Sequence, residues 1–157
     1  MQNGIFDNMS MQKETERNIF CKHLNYDNFY AIIYTNGQIN TQVGENMKHE
    51  MKLQHSPFLS IKAGTKTVEM RLYDEKRALI RVGDEILFTD VDTAETLDCV
   101  VVALYVYKSF DELYRHHDKR SLGYAANETA DPKDMLAYYP QEKIDKYGVV
   151  GIGIERI

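Results

Sequence analysis

The chain has 157 residues, of which 43% are hydrophobic and 27% charged, and a formal net charge of −5. That is enough sequence for one domain with a sizeable core, in the composition range of ordinary globular proteins. The acidic balance excludes a broad, non-specific nucleic-acid surface, DNA included. The longest apolar run, Val100 to Val106, is far too short to cross a bilayer, so no membrane association is expected.

Residues 1–46 are rich in Asn and Gln, carry three basic and five acidic residues, and show little sustained periodicity. Their one clear local signal is Phe29 to Thr35, then Asn36-Gly37, then Gln38 to Val43. Asn-Gly between two strand-like runs predicts a hairpin with a type I′ turn. An isolated hairpin is marginal in water, so residues 1–46 read as an extension ahead of a domain spanning 47–157, with Met47 as an alternative start. No basic-then-apolar signal pattern opens the chain. Cys21 and Cys99 lie far apart without metal-like spacing. Cytoplasm is therefore the expected location.

The domain opens with Met51-Lys52-Leu53. Ser56-Pro57 supplies an N-cap and a first-turn proline for a short helix with Phe58, Leu59 and Ile61 on its apolar side. Gly64 closes that helix, since it has no Cβ to clash in the left-handed conformation. A strand follows, with Val68, Met70 and Leu72 on one face and Thr67, Glu69 and Arg71 on the other. Asp74 to Leu79 predicts a loop with one helical turn, and Gly83-Asp84 a turn into a strand over 85–89. A polar hairpin loop over 90–95 leads to a long strand over 96–107, predicted to be covered on both faces, with Cys99 in the core. Ser109 and Glu112 have capping-box spacing for a helix to about His117, expected to wall the cleft that holds Glu69 and Arg71. Asp131-Pro132 opens another short helix, Pro140 interrupts it, and 141–147 adds a last turn or two. Residues 148–155 form a final strand covered on both sides. Strands interspersed with short helices predict an α+β fold, a small barrel of about five strands with helices over its openings.

The charge pattern singles out one stretch. From Lys62 to Arg81 there are six basic and three acidic residues, a net of 6 − 3 = +3 within a chain carrying −5. The plain reading is a solvated strand face with a surface ion pair of little energetic worth. The sharper one is a site for an anion.

Gly64-Thr65-Lys66-Thr67-Val68-Glu69-Met70-Arg71 resembles the G-x-K-x-x-E-x-R signature of the ASCH domain family, a branch of the PUA-like β-barrels. Gly83-Asp84-Glu85-Ile86-Leu87-Phe88 and Tyr147-Gly148-Val149-Val150-Gly151-Ile152 resemble the family's next and closing strands. The resemblance covers roughly residues 47–157 and implies the same small barrel. It implies an RNA, nucleotide or nucleoside ligand, with Lys62, Lys66, Thr67, Arg71, Tyr73 and Arg77 around it and Glu69 accepting from a base or ribose. One branch resembles small amidohydrolases that deacylate a modified cytidine with a lysine, a threonine and a glutamate. The lysine falls on Lys66, the threonine's place is taken by Glu69, and the glutamate has no clear counterpart beyond Glu128. If the protein is an enzyme, Lys66 and Glu69 are its catalytic candidates. A third reading is a regulatory interaction domain without a small ligand.

Other residues draw plainer readings. His49, His55, His116 and His117 include no pair at i, i+4 and no accompanying Cys-x-x-Cys, so no metal is predicted. His116 and His117 suit a helix C-terminus. Gly148, Gly151 and Gly153 lie in a strand with no following helix, so they are no dinucleotide loop and no cofactor is predicted. Most tyrosines read as barrel wall, while Tyr73 and Tyr124 fall in loops and are candidates for stacking on a base.

Overall fold

A computed structural model describes residues 19–21, 31–35, 38–42 and 46–157. Three short strands precede the domain: β1 (Ile19–Cys21), β2 (Ala31–Thr35) and β3 (Gln38–Gln42), antiparallel in the order β1-β2-β3. Thr35 pairs with Gln38, the register expected of a two-residue hairpin. The Asn36-Gly37 turn itself lies outside the described residues. The third strand, β1, pairs with β2 and was carried by no pattern in the sequence.

The domain is built from β4 (Lys48–Leu53), α1 (His55–Lys62), β5 (Val68–Leu72), β6 (Glu85–Asp90), β7 (Thr96–Tyr107), α2 (Phe110–His116), α3 (Gln141–Tyr147) and β8 (Val149–Arg156). Single 3₁₀ segments cover Arg77–Leu79 and Pro132–Ala137. The five strands form one mixed sheet in the order β4-β6-β7-β8-β5, parallel only between β4 and β6. Its two outer strands approach each other closely enough for the Arg71 Nη2 of β5 to donate to the Lys52 carbonyl of β4 at 2.8 Å. The sheet is thus curled into a half-barrel, the expected α+β architecture.

The curl makes two cores. Inside it, Met51, Leu53, Phe58, Ile61, Ile86, Phe88, Cys99, Val150, Ile152 and Ile154 pack together. On the outer face of β5 and β8, Val68, Met70, Leu72 and Val149 meet Phe110 and Leu113 of α2, Met135 and Ile144. Alternation along β5 decides which residue enters which core. Val68, Met70 and Leu72 take the outer one, and Glu69 and Arg71, opposite Ile152 and Val150, turn inward.

Three local expectations need correction. Helix α1 starts at His55, with Gln54 in the capping position and no side-chain cap, so Ser56 sits inside the first turn instead of capping it, while Pro57 falls in that turn as expected. Strand β7 is covered less than its β-branched run suggests: it outruns β6 beyond Val100, so Tyr105 and Val106 are exposed. Helix α2 packs on the face of β5 opposite to Glu69 and Arg71, so it does not wall their cleft. Its capping box forms with a small shift. Ser109 Oγ accepts from the Glu112 amide at 3.3 Å, while the Glu112 carboxylate reaches back to the Lys108 amide at 3.0 Å.

Gly64 ends α1 as the sequence indicates. It has φ +75°, its amide donates to Ile61 and the Thr65 amide donates to Ser60, the reciprocal pattern of a Schellman motif. Gly148 has a stricter role between α3 and β8. Its φ of 68° and ψ of −167° lie where essentially only glycine is found, and an added Cβ would stand 2.8 Å from the Tyr107 carbonyl oxygen. Nothing lies within 4 Å of a Cβ built on Gly64. Gly148→Ala is therefore expected to lose about 3 kcal/mol or more, combining strain with a backbone clash. Gly64→Ala should lose only about 1–2 kcal/mol for the left-handed conformation. Urea unfolding of both variants checks the order, and equal losses would remove the close-approach argument.

Candidate functional site

The signature strand is fixed from the outside by residues 118–124. The Asp118 carboxylate accepts from the Arg120 and Ser121 amides, both at 3.0 Å, which shapes the loop. The Ser121 carbonyl accepts from both the Thr67 and Val68 amides at 3.0 Å. Lys66 completes the attachment. Its Nζ donates to the Leu122 carbonyl at 2.8 Å and the Val68 carbonyl at 3.0 Å, and lies 3.5 Å from Glu69 Oε2. Gly123 lies flat against the lysine stem, where a Cβ would meet Lys66 Cδ at 3.0 Å.

Lys66 is 4% exposed and Glu69 5% exposed. Burial holds the Lys66 ammonium below the usual lysine range, with Glu69 pulling in the opposite direction. The other Glu69 oxygen, Oε1, accepts from Arg71 Nε at 2.8 Å. Burial works against the Arg71 charge, and Glu69 together with Tyr139 more than offsets it. Arg71 also spends one Nη2 hydrogen on the Lys52 carbonyl. The result is a chain of contacts running from the 118–124 loop through Lys66, Glu69 and Arg71 to the far edge of the sheet.

Tyr139 stands at the outer end of that chain, beside both Arg71 and Glu69. Its phenol is pushed up by burial and drawn back by Arg71, with Arg77 acting in the same sense as Arg71. The ring stacks on Phe110 at 5.9 Å with planes 13° apart, so its position is set from the outer core. Arg77 is held by Asp74, whose carboxylate accepts from the Arg77 amide at 3.0 Å and pairs with the guanidinium at 2.8 Å.

The structure therefore brings Lys66, Glu69 and Arg71 together and disperses the other candidates. Lys62 pairs with Glu95 across the β6–β7 hairpin loop. Thr67 lines a shallow depression of about 250 Å³ with Gly64, Lys66, Ile154 and Arg156, away from Glu69 and Arg71. Tyr73 packs against the inner core. Tyr124 is bound through its hydroxyl to Tyr114 at 2.9 Å and Asp134 at 2.8 Å, and is no free stacking surface. Glu128 accepts from the Ala125 amide in an exposed loop. Tyr139 is the residue that sequence reasoning missed. It lies 68 positions beyond Arg71 in the chain, and no local pattern links the two.

Against this geometry the family model for the ASCH domain matches residues 51–157. The chain belongs to the ASCH domain family. A crystal structure of hypothetical protein PH0355 is 36% identical, covers 71% of this chain and 100% of its own, and superposes with a TM-score of 0.61. The solution structure of protein PF0455 from Pyrococcus furiosus is also 36% identical, over 71% of this chain and 98% of its own, with a TM-score of 0.53. A mutant form of ZmASCH from Zymomonas mobilis shares the fold at 12% identity and a TM-score of 0.50, over 72% and 70% of the two chains. No curated protein matches. Among the described residues no helix is long and apolar enough to cross a membrane.

One group of possible metal ligands lies elsewhere: His55, Asp90 and Asp92 have ligand atoms within 4.8 Å of one another. Asp90 spends both oxygens inside the hairpin loop, accepting from the Asp92 amide, Thr93 Oγ1 and His55 Nδ1. The group is accounted for as a loop cap tying α1 to β6. Burial opposes the Asp90 charge, but its hydrogen bonds hold the carboxyl down at about 2, and Asp90 raises the His55 imidazole above its ordinary value.

Two expected outcomes follow from these contacts. Lys66→Met leaves the Glu69 charge short of one partner and two inward carbonyls short of a donor. It should destabilise the domain by about 3–5 kcal/mol in chemical unfolding, the cost of breaking a buried ion pair. A loss below about 1 kcal/mol would show the lysine to be a surface-type partner. For His55–Asp90 the signs oppose. The depressed Asp90 contributes stability above about pH 4 that is lost as pH falls toward 2, and the raised His55 contributes stability below about pH 6.5 that is lost as pH rises through its folded value. The stability gap between wild type and His55→Ala should therefore be widest near about pH 5–6 and shrink by about pH 9. A gap that widens with pH would reject the ion pair.

Proposed function

We propose that this ASCH domain binds a short single strand of RNA or a nucleotide, with its phosphate at the Arg71 end of the signature strand. The observation that carries the reading is the state of Arg71. Glu69 and the Lys52 carbonyl anchor the guanidinium from two sides. Its side chain keeps 15% of its surface exposed, and it lies beside the Tyr139 phenol, on which Arg77 also acts electrostatically. A pre-oriented planar fork loses little entropy on meeting a phosphate, and its remaining N–H groups donate in directions an oxyanion can accept. Lys66 and Glu69 hold Arg71 in place from beneath rather than touching the ligand.

A second reading, deacylation of a modified cytidine, keeps one specific support. Lys66 has an ammonium weakened by burial and stands 3.5 Å from the Glu69 carboxylate, a pairing suited to proton transfer. The inward hydrogen bonds of Lys66 Nζ favour the binding reading over it.

Calorimetry with short RNAs and nucleotides tests the first reading, beside a turnover assay on acylated cytidine. Arg71→Ala should lower affinity by about tenfold or more, the loss expected for a charge-assisted hydrogen bond. Arg71→Lys should restore little of it. Because Arg71 also pairs with Glu69, Tyr139→Phe and Arg77→Ala supply variants that leave that pair intact, and both should weaken binding. A slight salt dependence, matching one or two phosphates, is expected. Wild-type turnover abolished in Glu69→Gln would make catalysis the primary reading. Wild-type protein that neither binds nor turns over any of these ligands would leave an interaction domain.

A further inference from the structure

Beyond Val100, β7 loses β6 as a ladder partner and pairs on with β8, and β1 also comes close to β7. Tyr105 and Tyr107 emerge there on the outer face, opposite Gly151 and Val149, where the C-terminal end of α2 arrives with His116 and His117. Gly151 faces the same surface: a Cβ there would crowd Val68 Cγ1 at 3.1 Å and would touch His117 Nε2 at an ordinary 3.8 Å. The four rings form a continuous run. Tyr105 meets His117 edge-on at 4.7 Å, His117 meets Tyr107 edge-on at 5.9 Å, and Tyr107 stacks on His116 at 5.2 Å with planes 20° apart.

Two observations set this cluster apart from ordinary barrel wall. Its outer members are open: Tyr105 is 39% exposed and His116 is exposed. Its polar edges are also only half used. His116 Nδ1 donates to the Glu112 carbonyl at 2.8 Å, and the Tyr107 hydroxyl meets His117 Nε2 at 3.1 Å. The Tyr105 hydroxyl, His116 Nε2 and His117 Nδ1 have no hydrogen-bond partner among the described residues. Burial and the neighbouring His116 hold His117 below its ordinary value, so its ring is neutral near pH 7. Exposed π-faces bordered by donors and acceptors that have no partner among the described residues match the two needs of a nucleobase, a stacking partner and hydrogen bonds at its edge.

We propose that Tyr105, Tyr107, His116 and His117 form a nucleobase-stacking site on the outer face of the sheet, on the side opposite to Arg71. It takes an unpaired base of single-stranded RNA. The identity of that strand rests on the RNA reading above, but the ring cluster shares no residue with the Arg71 site. The two can fail separately.

The test compares an oligoadenylate of about eight nucleotides, within the range of single-strand site sizes, with AMP. The probe is intrinsic tyrosine fluorescence, usable because the chain has no tryptophan. The double variant Tyr105→Ala/His116→Ala should weaken the oligonucleotide by about five- to a hundredfold, the range for removing base–aromatic stacks, while AMP binding at Arg71 is unchanged. Tyr105→Phe/His116→Phe keeps the faces and should retain most of the affinity. Unchanged melting temperatures serve as the control for folding, and base-induced shifts of the wild-type histidine ring signals give a readout free of mutation. Oligonucleotide binding that is the same in wild type and the double variant overturns the stacking site and leaves Arg71 standing. Loss in the double variant with none in Arg71→Ala upholds the stacking site and overturns the Arg71 reading. Wild type that binds neither probe overturns both.

Discussion

The interaction on which the rest depends is the Glu69 carboxylate held between two cations inside a curled sheet. A carboxylate this deeply buried is tolerated only with partners that satisfy its oxygens. Lys66 takes one oxygen and ties it to the 118–124 loop, and Arg71 takes the other and carries it to β4. Those two partners join parts of the chain that the sheet's hydrogen bonds do not join. β4 and β5 are its outer strands, and the loop stands outside it altogether. The curl of the sheet, the seating of the loop and the orientation of Arg71 are therefore set by one electrostatic requirement. A ligand acting on Arg71 acts on an element already tied to both sheet edges.

That arrangement divides the roles of the two basic residues in the signature. Lys66 has its donors turned inward and its stem under Gly123, so its charge is consumed in holding the site together. Arg71 has more donors and a rigid fork, so it can satisfy Glu69 and Lys52 and still present an edge. A lysine in place of Arg71 could not do both with the same geometry. An arginine in place of Lys66 would not fit the narrow space between two carbonyls and Gly123.

Much of this was legible in the sequence, and what was hidden has a common cause. The cap at Gly64, the box at Ser109 and the alternation along β5 are local rules, and each appears where the residues put it. Alternation says that Glu69 and Arg71 share a face, but not which neighbour that face meets. Hence α2, expected beside them, lies behind them instead. Tyr139 was invisible for the same reason: its place beside Arg71 is decided by stacking on Phe110 and by the path of residues 118–140. The openness of Tyr105 depends on where β6 stops, which the apolar run through Val106 conceals.

The basic island looks different once its partners are known. Of the six cations between Lys62 and Arg81, Lys62 is paired with Glu95, Lys66 is spent on carbonyls and Glu69, Arg71 is shared with Glu69, and Arg77 is paired with Asp74. Glu69 and Asp74 are already counted in the local excess of +3, so the outside partner Glu95 lowers it only to 3 − 1 = +2, a small charge whose reach into solvent is short at physiological salt. Such a surface cannot gather a polyanion from a distance by charge. It can recognise one phosphate that comes into contact, where geometry counts for more than field strength. Affinity for a longer strand must then come from contacts that do not depend on charge. In a chain with a net charge of −5, aromatic faces are the surface best suited to supply them.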